Sequence, residues 1–446
     1  MPAHVTDSLF FRDLFGSAAM RAVFDDHNLL QKWLDYEAAL ARAEAAVGLI
    51  PQAAADEITR QAHATNMDVY AIKAGIDKTV HPLVPAIWQL SEHCEGEAGR
   101  YVHWGATTQD VMDTAIVLQI KEAIPLFEET LNALISCTAS LAATYRDTPM
   151  AGRTHGQQAL PITFGFKVAV WLAELKRHQE RLTACQPRVL VGEFGGAVGT
   201  LAGVAEQGID INARLCAELD LHVPTIAWHT ARDHLAEFAG IIAQICATMG
   251  KIAHEIIDLQ KTEFAEVEEP FEMGKVGSST MPHKRNPMLC ESILTLARLT
   301  RRHAATAVDA MLHEHERDWS SFQMEWAYLP ELCIMTHGAM TLTERVLGGL
   351  IVYPENMLRN LHATGGLLLA ERVMLALGEH IGRQHAHDAV YEAAMRAFEA
   401  RQPFADVLKQ DAAITAHLQP AQIDALLDPT QYTGLAAAYV DRVLSS

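Results

Sequence analysis

Positive charge is scarce in this 446-residue sequence, which has 35 Lys and Arg against 55 Asp and Glu and a formal net charge of -20 at pH 7. Nucleic acids and anionic membrane surfaces bind proteins through a basic face. We therefore expect neither of them as the main partner. An anionic small molecule is still compatible with this charge, because a pocket can be locally positive on an acidic protein.

The sequence also lacks a continuous run of about 18 uncharged apolar residues, so we expect no membrane span. Its N-terminus carries acidic residues early and does not resemble a signal peptide. The seven cysteines are an odd number, they include no Cys-x-x-Cys pair, and most lie in apolar helical stretches. Free, mostly buried thiols in a reducing compartment fit this pattern, so we expect a cytoplasmic protein.

Alternating strand patterns are scarce too, and no internal repeat or low-complexity tail is evident. Helical periodicity dominates instead, as in the apolar residues of 120–134 that step by four and three along one helix face. Similar long stretches cover residues 161–185, 233–263, 287 to beyond 311, and 331–347. Long helices separated by Gly-rich or polar loops indicate a helical bundle, so we predict an all-α fold.

Length and proline suggest the domain boundaries. At roughly 150 residues per domain, a chain of 446 residues corresponds to about three domains. A first boundary is expected near Asp110–Thr114, and Pro354 marks a second, after which shorter helices and polar loops follow. We predict a helical N-terminal domain at 1–112, a central long-helix bundle domain at 113–353 and a helical C-terminal domain at 354–446.

The most informative segment is Gly-Ser-Ser-Thr-Met-Pro-His-Lys-Arg-Asn-Pro at 277–287. Its backbone N–H groups can cradle an anion, and Lys284 adds a fixed positive charge. Without further context, such a run is more often a surface turn before a helix. The full eleven-residue run, however, resembles the signature of the fumarase/aspartase superfamily, which includes fumarase, aspartase, argininosuccinate lyase, adenylosuccinate lyase and 3-carboxymuconate cycloisomerase.

The resemblance implies roles for four residues of this region. Ser278 corresponds to the catalytic base. Lys284 and Asn286 correspond to residues that hold a substrate carboxylate, and Glu291 to a residue that orients Lys284 or a histidine of the site. A serine hydroxyl acts as a base only if dipoles and charge stabilise its alkoxide in a dry site. We expect the N–H-rich loop and Lys284 to supply that stabilisation, and closure of the loop to exclude water.

A second segment is Gly-Arg-Thr-His-Gly-Gln-Gln at 152–158. A histidine in this setting is more often a structural hydrogen-bonding group than a catalyst. The run nevertheless resembles the Gly-Arg-Thr-His segment of adenylosuccinate and argininosuccinate lyases, in which the histidine protonates the leaving nitrogen. The resemblance implies that His155 is the general acid, a task that suits a pKa near neutrality. Thr154 and Gln158 are candidate contacts to a carboxylate or to the leaving group.

A third segment, at 100–110, is Arg-Tyr-Val-His-Trp-Gly-Ala-Thr-Thr-Gln-Asp. Its threonines suit a helix N-cap, and they can also donate hydrogen bonds to a carboxylate. The superfamily lines its active site with this region, which implies substrate contacts at His103, Thr107, Thr108 and Gln109. Contacts that set specificity are expected at four further positions, namely Arg21, His81, Arg317 and Ser320.

Closely spaced histidines, such as His313 with His315 and His385 with His387, invite a metal interpretation. Two residues apart on a helix, such side chains point about 200° from each other, which is poor for chelation. We therefore expect no metal, and the resemblance implies no organic cofactor.

The resemblance covers nearly the whole chain, from about residue 20 to residue 434. It implies three helical domains and a homotetramer whose central helices form a twenty-helix core. Each active site then gathers segments from three subunits and binds a small dicarboxylate. Because Ser278, Lys284 and His155 are all present, we do not expect the purely structural role that some members of this fold have.

Two reactions are compatible with the resemblance. The first is β-elimination of an N-substituted succinate, which breaks a C–N bond and releases fumarate and an amine. The second is that of 3-carboxy-cis,cis-muconate cycloisomerase, a lactonisation in aromatic catabolism, and the segments 103–110, 314–317 with 325–326, and 427–434 resemble that enzyme. We rank elimination first, because two imidazoles, His81 and His155, suit an amine leaving group.

Overall fold

The structure, a computed structural model, describes residues 4–271, 274, 277–278 and 280–446. Helices dominate this part of the chain, so the prediction of an all-α fold is confirmed. The N-terminal part forms six helices: α1 (Arg12–Phe15), α2 (Ala18–Val23), α3 (Asp26–Ala46), α4 (Gln52–Gln61), α5 (Val69–Thr79) and α6 (Val84–His93). Short polar side chains begin several of them; the Asp25 carboxylate, for example, accepts the Asn28 N–H at the start of α3.

The long helices follow where the periodicity predicted them. They are α7 (Thr108–Thr144), α8 (Phe164–Val189), α10 (Asp233–Gln260), α11 (Met288–Asp309) and α12 (Trp319–Gly348), with the shorter α9 (Gly208–Glu218) between α8 and α10. Helix α7 begins twelve residues before the apolar stripe that starts at 120. Its first turns bury polar side chains, including Asp113 and Thr114, and an apolar pattern does not detect such turns.

One expected helix start is wrong. Pro161 does not open α8 but lies in a hairpin of two antiparallel strands, β1 (Pro149–Thr154) and β2 (Gln157–Thr163), opposite Ala151. Proline has no N–H for a central ladder, but each strand of a two-stranded hairpin has a free edge. A second short pair joins β3 (Val267–Glu268) to β4 (Ile351–Val352).

The C-terminal part consists of shorter helices, as expected after Pro354. They are α13 (Pro354–Leu361), α14 (Ala370–Ile381), α15 (Arg383–Ala400), α16 (Phe404–Gln410), α17 (Ala412–Thr415), α18 (Pro420–Leu426) and α19 (Ala436–Ser445). Val373, Leu377, Phe404 and Leu408 are fully buried in a small apolar core of their own.

Contacts between residues divide the chain into two compact units. The first, called unit 1, comprises Met1–Asn132, Arg177–Gly250 and Ser292–Leu342, and the second, unit 2, comprises Ala133–Lys176, Lys251–Glu291 and Thr343–Ser446. The core of unit 1 contains apolar residues of α3, α4, α6, α7 and α9. The division into domains at 1–112, 113–353 and 354–446 stays a prediction.

Helix α10 is long and apolar enough to cross a membrane by length and composition. However, 67% of its most apolar window is buried within the protein. Burial of this kind is typical of a core helix, so the composition of α10 is explained by packing.

A buried ion network in unit 1 links helices α7 and α12 to Arg232, the residue that precedes α10. The Arg232 guanidinium donates to the Asp113 carboxylate at 2.7 and 2.8 Å and to the Glu325 carboxylate at 2.8 Å through Nε. The three side chains are at most 1% exposed. The guanidinium carbon also lies 4.8 Å from the ring centroid of Trp228, a favourable cation–π distance.

Candidate active site

His155 lies at the tip of the β1–β2 hairpin. Thr154 pairs with Gln157, which leaves a turn of two residues, His155 and Gly156. Their φ angles are 53° and 76°, both left-handed, as in a type I′ turn. The side chains of Thr154 and His155 are exposed, and no residue in the described part of the chain bonds to the imidazole. The hairpin therefore presents an accessible imidazole.

The base of the hairpin is fixed by a buried charge. Both Nη atoms of Arg153 donate to the fully buried Glu266 carboxylate, at 3.0 and 2.7 Å, and the guanidinium lies over the Phe264 ring. Gln158 donates to the Asn360 carbonyl at 2.8 Å, and the Asn360 amide donates to Glu266 at 2.9 Å. Gln158, a predicted substrate contact, therefore uses its Nε2 to anchor strand β2 to the Asn360 carbonyl.

Ser278 lies half-buried in the loop that resembles the superfamily signature. Its Oγ accepts the backbone N–H of Met281 at 3.1 Å and that of Thr280 at 3.4 Å. Two dipoles therefore point at this oxygen, which favours negative charge on it.

The same loop is closed by contacts within unit 2. The Asn286 amide donates to the Gly277 carbonyl at 2.7 Å, and Gln260 donates to the Arg285 carbonyl at 3.1 Å. A Cβ at Gly277 would lie 2.6 Å from the Lys284 carbonyl oxygen, so the loop requires glycine there. These contacts hold the two ends of the signature segment together.

The two cations of the loop differ in their surroundings. Arg285 pairs with Glu268 at 2.8 Å and stacks on Phe271. Lys284 is exposed and has no ion-pair partner among the residues described here, so its charge is available to a ligand. Glu291 lies in the first turn of α11, where a carboxylate is favoured by the helix dipole.

In unit 1, Asp110 organises the start of α7. Its buried carboxylate accepts the N–H groups of Thr107, Gly195 and Gly196 at 2.9 to 3.0 Å, and it bonds to His229 Nε2 at 2.6 Å. Asp110 therefore holds the predicted contact Thr107 against the loop after α8. The sequence indicated a helix N-cap at this point, but it did not indicate that Asp110 has four hydrogen-bond partners.

Asp110, Glu193 and His229 also have metal-ligand spacing, with ligand atoms within 4.8 Å of one another. Burial, followed by the charges of Asp110 and Asp113, raises the pKa of Glu193 to about 9. The oxygens of Asp110 have four hydrogen-bond partners, and Glu193 Oε2 accepts the Trp228 N–H at 2.7 Å. The other carboxylate oxygen of Glu193, Oε1, is buried without a hydrogen-bond partner among the described residues.

Four predicted contacts of unit 1 lie in two hydrogen-bonded pairs beside this N-terminus. Thr108 Oγ1 lies 3.3 Å from His81 Nε2. Gln109 accepts a hydrogen bond from Arg317 Nε at 2.8 Å, and Arg317 also donates to the Ala197 carbonyl. The Arg317 Nη2 is buried and has no hydrogen-bond partner in the described part of the chain. Such a donor is costly to leave unpaired, which points to an acceptor from a ligand or water.

His103 bonds through Nδ1 to the buried Glu37 carboxylate at 2.7 Å. Burial alone would lower the pKa of His103, but the charge and hydrogen bond of Glu37, followed by the charge of Asp110, raise it. His81 behaves in the opposite way, because burial and then the charge of His103 lower its pKa. The sequence did not single out Glu37, although a glutamate on the apolar face of α3 was a signal.

Two other predicted contacts serve the local structure. Ser320 donates its hydroxyl and its N–H to Asp318 at the start of α12, at 2.7 and 2.9 Å. Arg21 pairs with Asp13 and donates to the carbonyls of Arg12 and Gly16. The structure thus brings together Thr108 with His81 and Gln109 with Arg317, whereas Ser320 and Arg21 are engaged elsewhere.

Comparison with known proteins assigns the class. Residues 16–299 match a family model described as Lyase, and residues 366–443 match one described as Adenylosuccinate lyase C-terminus. The chain therefore belongs to this lyase family, within the fumarase/aspartase superfamily that the sequence resembled.

Relatives with different reactions are about equally similar to the chain. N-acetyl-S-(2-succino)cysteine lyase of Enterococcus italicus is 44% identical, over 100% of this chain and 98% of its own. 3-carboxy-cis,cis-muconate cycloisomerase of Pseudomonas aeruginosa is 43% identical, over 98% and 95%. The solved fumarate lyase from Mesorhizobium sp. BNC1 has a TM-score of 0.91 and 42% identity, over 97% and 98%.

Proposed function

We propose that this chain eliminates a heteroatom leaving group from a 2-substituted succinate and releases fumarate. The observation that carries the proposal is the geometry at Ser278, whose Oγ accepts two backbone N–H groups at 3.1 and 3.4 Å. The exposed ammonium of Lys284 belongs to the same loop. Dipoles and charge of this kind lower the free energy of an oxyanion, which a serine base requires.

The proposed reaction begins with proton abstraction. Ser278 takes the proton from the carbon next to one carboxylate, and the electron pair is held on that carboxylate, which Lys284 and Asn286 bind. The pair then forms the C=C bond of fumarate while the bond to the leaving atom breaks. That atom departs with its electrons and takes a proton from His155, so the reaction is redox-neutral.

For the leaving atom we propose sulphur, as part of an N-acylated cysteine. Support comes from the 44% identity over the whole chain with the Enterococcus lyase, whose name specifies such a substrate. A thiol has a pKa of about 8.5, so its sulphur needs less assistance from the proton of His155 than an amine nitrogen, which leaves only when it is fully protonated. C–N cleavage, which the sequence favoured, differs only in the leaving atom and stays a prediction.

Cycloisomerase activity is the second candidate, supported by the 43% identity with the Pseudomonas enzyme. In that reaction a carboxylate oxygen adds to a C=C bond, and the resulting carbanion takes up a proton. Ser278 would then deliver a proton to carbon instead of removing one. The stabilised oxygen of Ser278 and the positive charge of Lys284 in the same loop suit proton transfer in both directions.

One turnover screen separates these candidates. The panel contains N-acetyl-S-(2-succino)cysteine, adenylosuccinate, argininosuccinate, aspartate and 3-carboxy-cis,cis-muconate, followed by ultraviolet absorbance and mass spectrometry. Fumarate with N-acetylcysteine is the expected result. Fumarate with an amine would establish C–N cleavage, and a lactone without fumarate would establish the cycloisomerase. Turnover of none of these substrates would refute the proposal.

The matched controls are Ser278→Ala and Thr280→Ala. The first removes the proposed base and is expected to abolish turnover. The second removes a side chain from the same loop but keeps the backbone N–H that bonds to Ser278 Oγ, so most activity is expected to remain. Equal losses in both variants would show that the loop, rather than the Ser278 hydroxyl, is required.

We further propose that the active form is a homotetramer with a twenty-helix core, in which three subunits contribute to each site. The support is the superfamily assignment, together with exposed apolar side chains such as Ile226 and Leu312, which are 77% and 76% exposed in the single chain. Light scattering should give the mass of four 49.0-kDa chains. A monomeric active enzyme would contradict the proposal.

A further inference from the structure

Glu37 is a buried carboxylate outside the three segments that resemble the superfamily. It lies on α3, its side chain is 1% exposed, and its Oε1 bonds to His103 Nδ1 at 2.7 Å. Its other oxygen is buried without a hydrogen-bond partner among the described residues. A buried carboxylate is stable as an anion only if a positive partner faces it. The imidazole of His103 is the partner that the structure provides.

The backbone fixes the direction of that imidazole. His103 has a left-handed φ of 62° and precedes α7 by five residues. Its side chain is 20% exposed. Because Nδ1 faces the buried Glu37, Nε2 on the opposite edge of the ring is the atom left for a ligand. Substitution of Glu37 therefore changes the orientation and charge of His103 without touching a ligand directly.

The charged groups around His103 favour the imidazolium. Glu37 and Asp110 are negative and raise its pKa, in opposition to burial. His81 is the other titratable group nearby, and its own pKa is lowered, first by burial and then by His103. The two imidazoles beside the N-terminus of α7 therefore differ in the direction of their pKa shifts, which is upward for His103 and downward for His81.

We propose that Glu37 is a positioning residue that holds His103 as an imidazolium, with Nε2–H available to bind an anionic oxygen of the substrate. This inference rests on the proposed function, because it makes His103 part of the site that binds a succinyl compound. Glu37 sets the affinity of the site for anions and the pH range over which they bind. It takes no part in the bond-breaking step.

The test compares Glu37→Gln with Glu44→Gln. Both residues are buried on α3, but Glu44 has no hydrogen-bond partner in the described part of the chain, and burial, then Glu37, raises its pKa to about 9. Glutamine at position 44 thus replaces an acid that is already neutral, whereas glutamine at position 37 removes a charge. Loss of a charge-assisted hydrogen bond predicts a KM about tenfold to a hundredfold higher for Glu37→Gln, with kcat changed by less than about threefold.

The dependence of KM on pH provides a second test of the role of Glu37. The imidazolium is present below its pKa, so KM should rise as the pH increases past that value. In Glu37→Gln this rise should begin at lower pH, in Glu44→Gln it should not move, and Glu37→Asp should restore part of the parent profile. Unchanged KM and pH profile in Glu37→Gln, or equal effects of both glutamine variants, would overturn the proposal.

A measurement without turnover keeps this test separate from the proposed function. The His103 ring can be titrated by NMR in the full-length protein, with its signal assigned by its loss in His103→Asn. We expect the pKa of His103 to fall in Glu37→Gln and to stay unchanged in Glu44→Gln. An unshifted pKa refutes the role of Glu37 even in an active enzyme. A shifted pKa in a protein that turns over no succinyl compound upholds the pair and refutes the proposed function alone.

Discussion

Replacement of Arg232 by methionine tests the buried ion network of unit 1. The guanidinium has four hydrogen-bonding contacts with Asp113 and Glu325, and all three side chains are at most 1% exposed. Methionine keeps much of the side-chain length but removes the charge. Two buried carboxylates are then left without a cation.

The expected cost follows from that arrangement. Removal of one partner from a buried ion pair destabilises a protein by about 3–5 kcal/mol, because the remaining charge is buried unpaired. At about 2 °C per kcal/mol, the first unfolding transition should fall by roughly 6–10 °C. Burial already raises the pKa of Glu325, and Arg232 opposes that rise. Without Arg232 the Glu325 carboxylate binds a proton more readily, so the loss of stability should be smaller at pH 5 than at pH 8.

Differential scanning fluorimetry at pH 5, 6.5 and 8 measures this effect. The matched control is Arg188→Met, which breaks a similar contact with Glu237 in which the arginine is 55% exposed. An exposed pair contributes at most about 1 kcal/mol, so its transition should move by less than about 2 °C. Equal shifts for both variants, or a shift for Arg232→Met that does not depend on pH, would refute the reasoning.

Two further predictions concern buried groups. Glu44 has a folded-state pKa of about 9, raised by burial and then by Glu37; the folded protein therefore loses stability relative to the unfolded chain as pH rises from about 5 to 9, by up to about 1.4 kcal/mol per unit. In Glu44→Gln the Tm should therefore decline less over this pH range than in the parent protein. An equal decline of Tm in the parent and the variant would contradict the assignment to Glu44. Arg317→Met removes the buried Nη2 donor and should raise KM for a dicarboxylate at least about tenfold. An unchanged KM in steady-state assays would show that this group faces no substrate.

The long helices were predictable because an apolar stripe of period 3.6 records which face is buried. At the start of α7 the threonines suggested an N-cap, but the apolar stripe does not extend to the first turns, because their buried residues are polar. Asp110 and Asp113 are satisfied by donors at residues 195, 196, 229 and 232. No local pattern records a partner so far along the chain. For the same reason the partner of Glu37, which lies 66 residues away, could not be identified from the sequence, although the position of Glu37 on the apolar face of α3 was a signal that it is buried.

The hairpin around His155 was not predicted, because its local sequence pattern is weak and partly favours a helix. Its strands contain no clear alternation, and the register includes an irregularity between Ala151 and Arg153. The signal available was Gly156, which favours a positive φ at the turn. Pro161 suggested the first turn of a helix, because proline favours that position. In the structure its pairing with Ala151 in the hairpin outweighs this local preference.

The left-handed backbone at His155, with φ of 53°, limits which residues can replace it. Histidine, asparagine and aspartate enter this region several-fold more often than other residues, whereas a typical L-residue is disfavoured there by about 1–2 kcal/mol. Alanine scanning at this position therefore combines loss of the imidazole with strain in the turn, and His155→Asn separates them. The same holds at His103, with φ of 62°. During evolution the backbone conformation therefore restricts positions 103 and 155 to a few residue types. This restriction holds even in a related protein that does not use the imidazole.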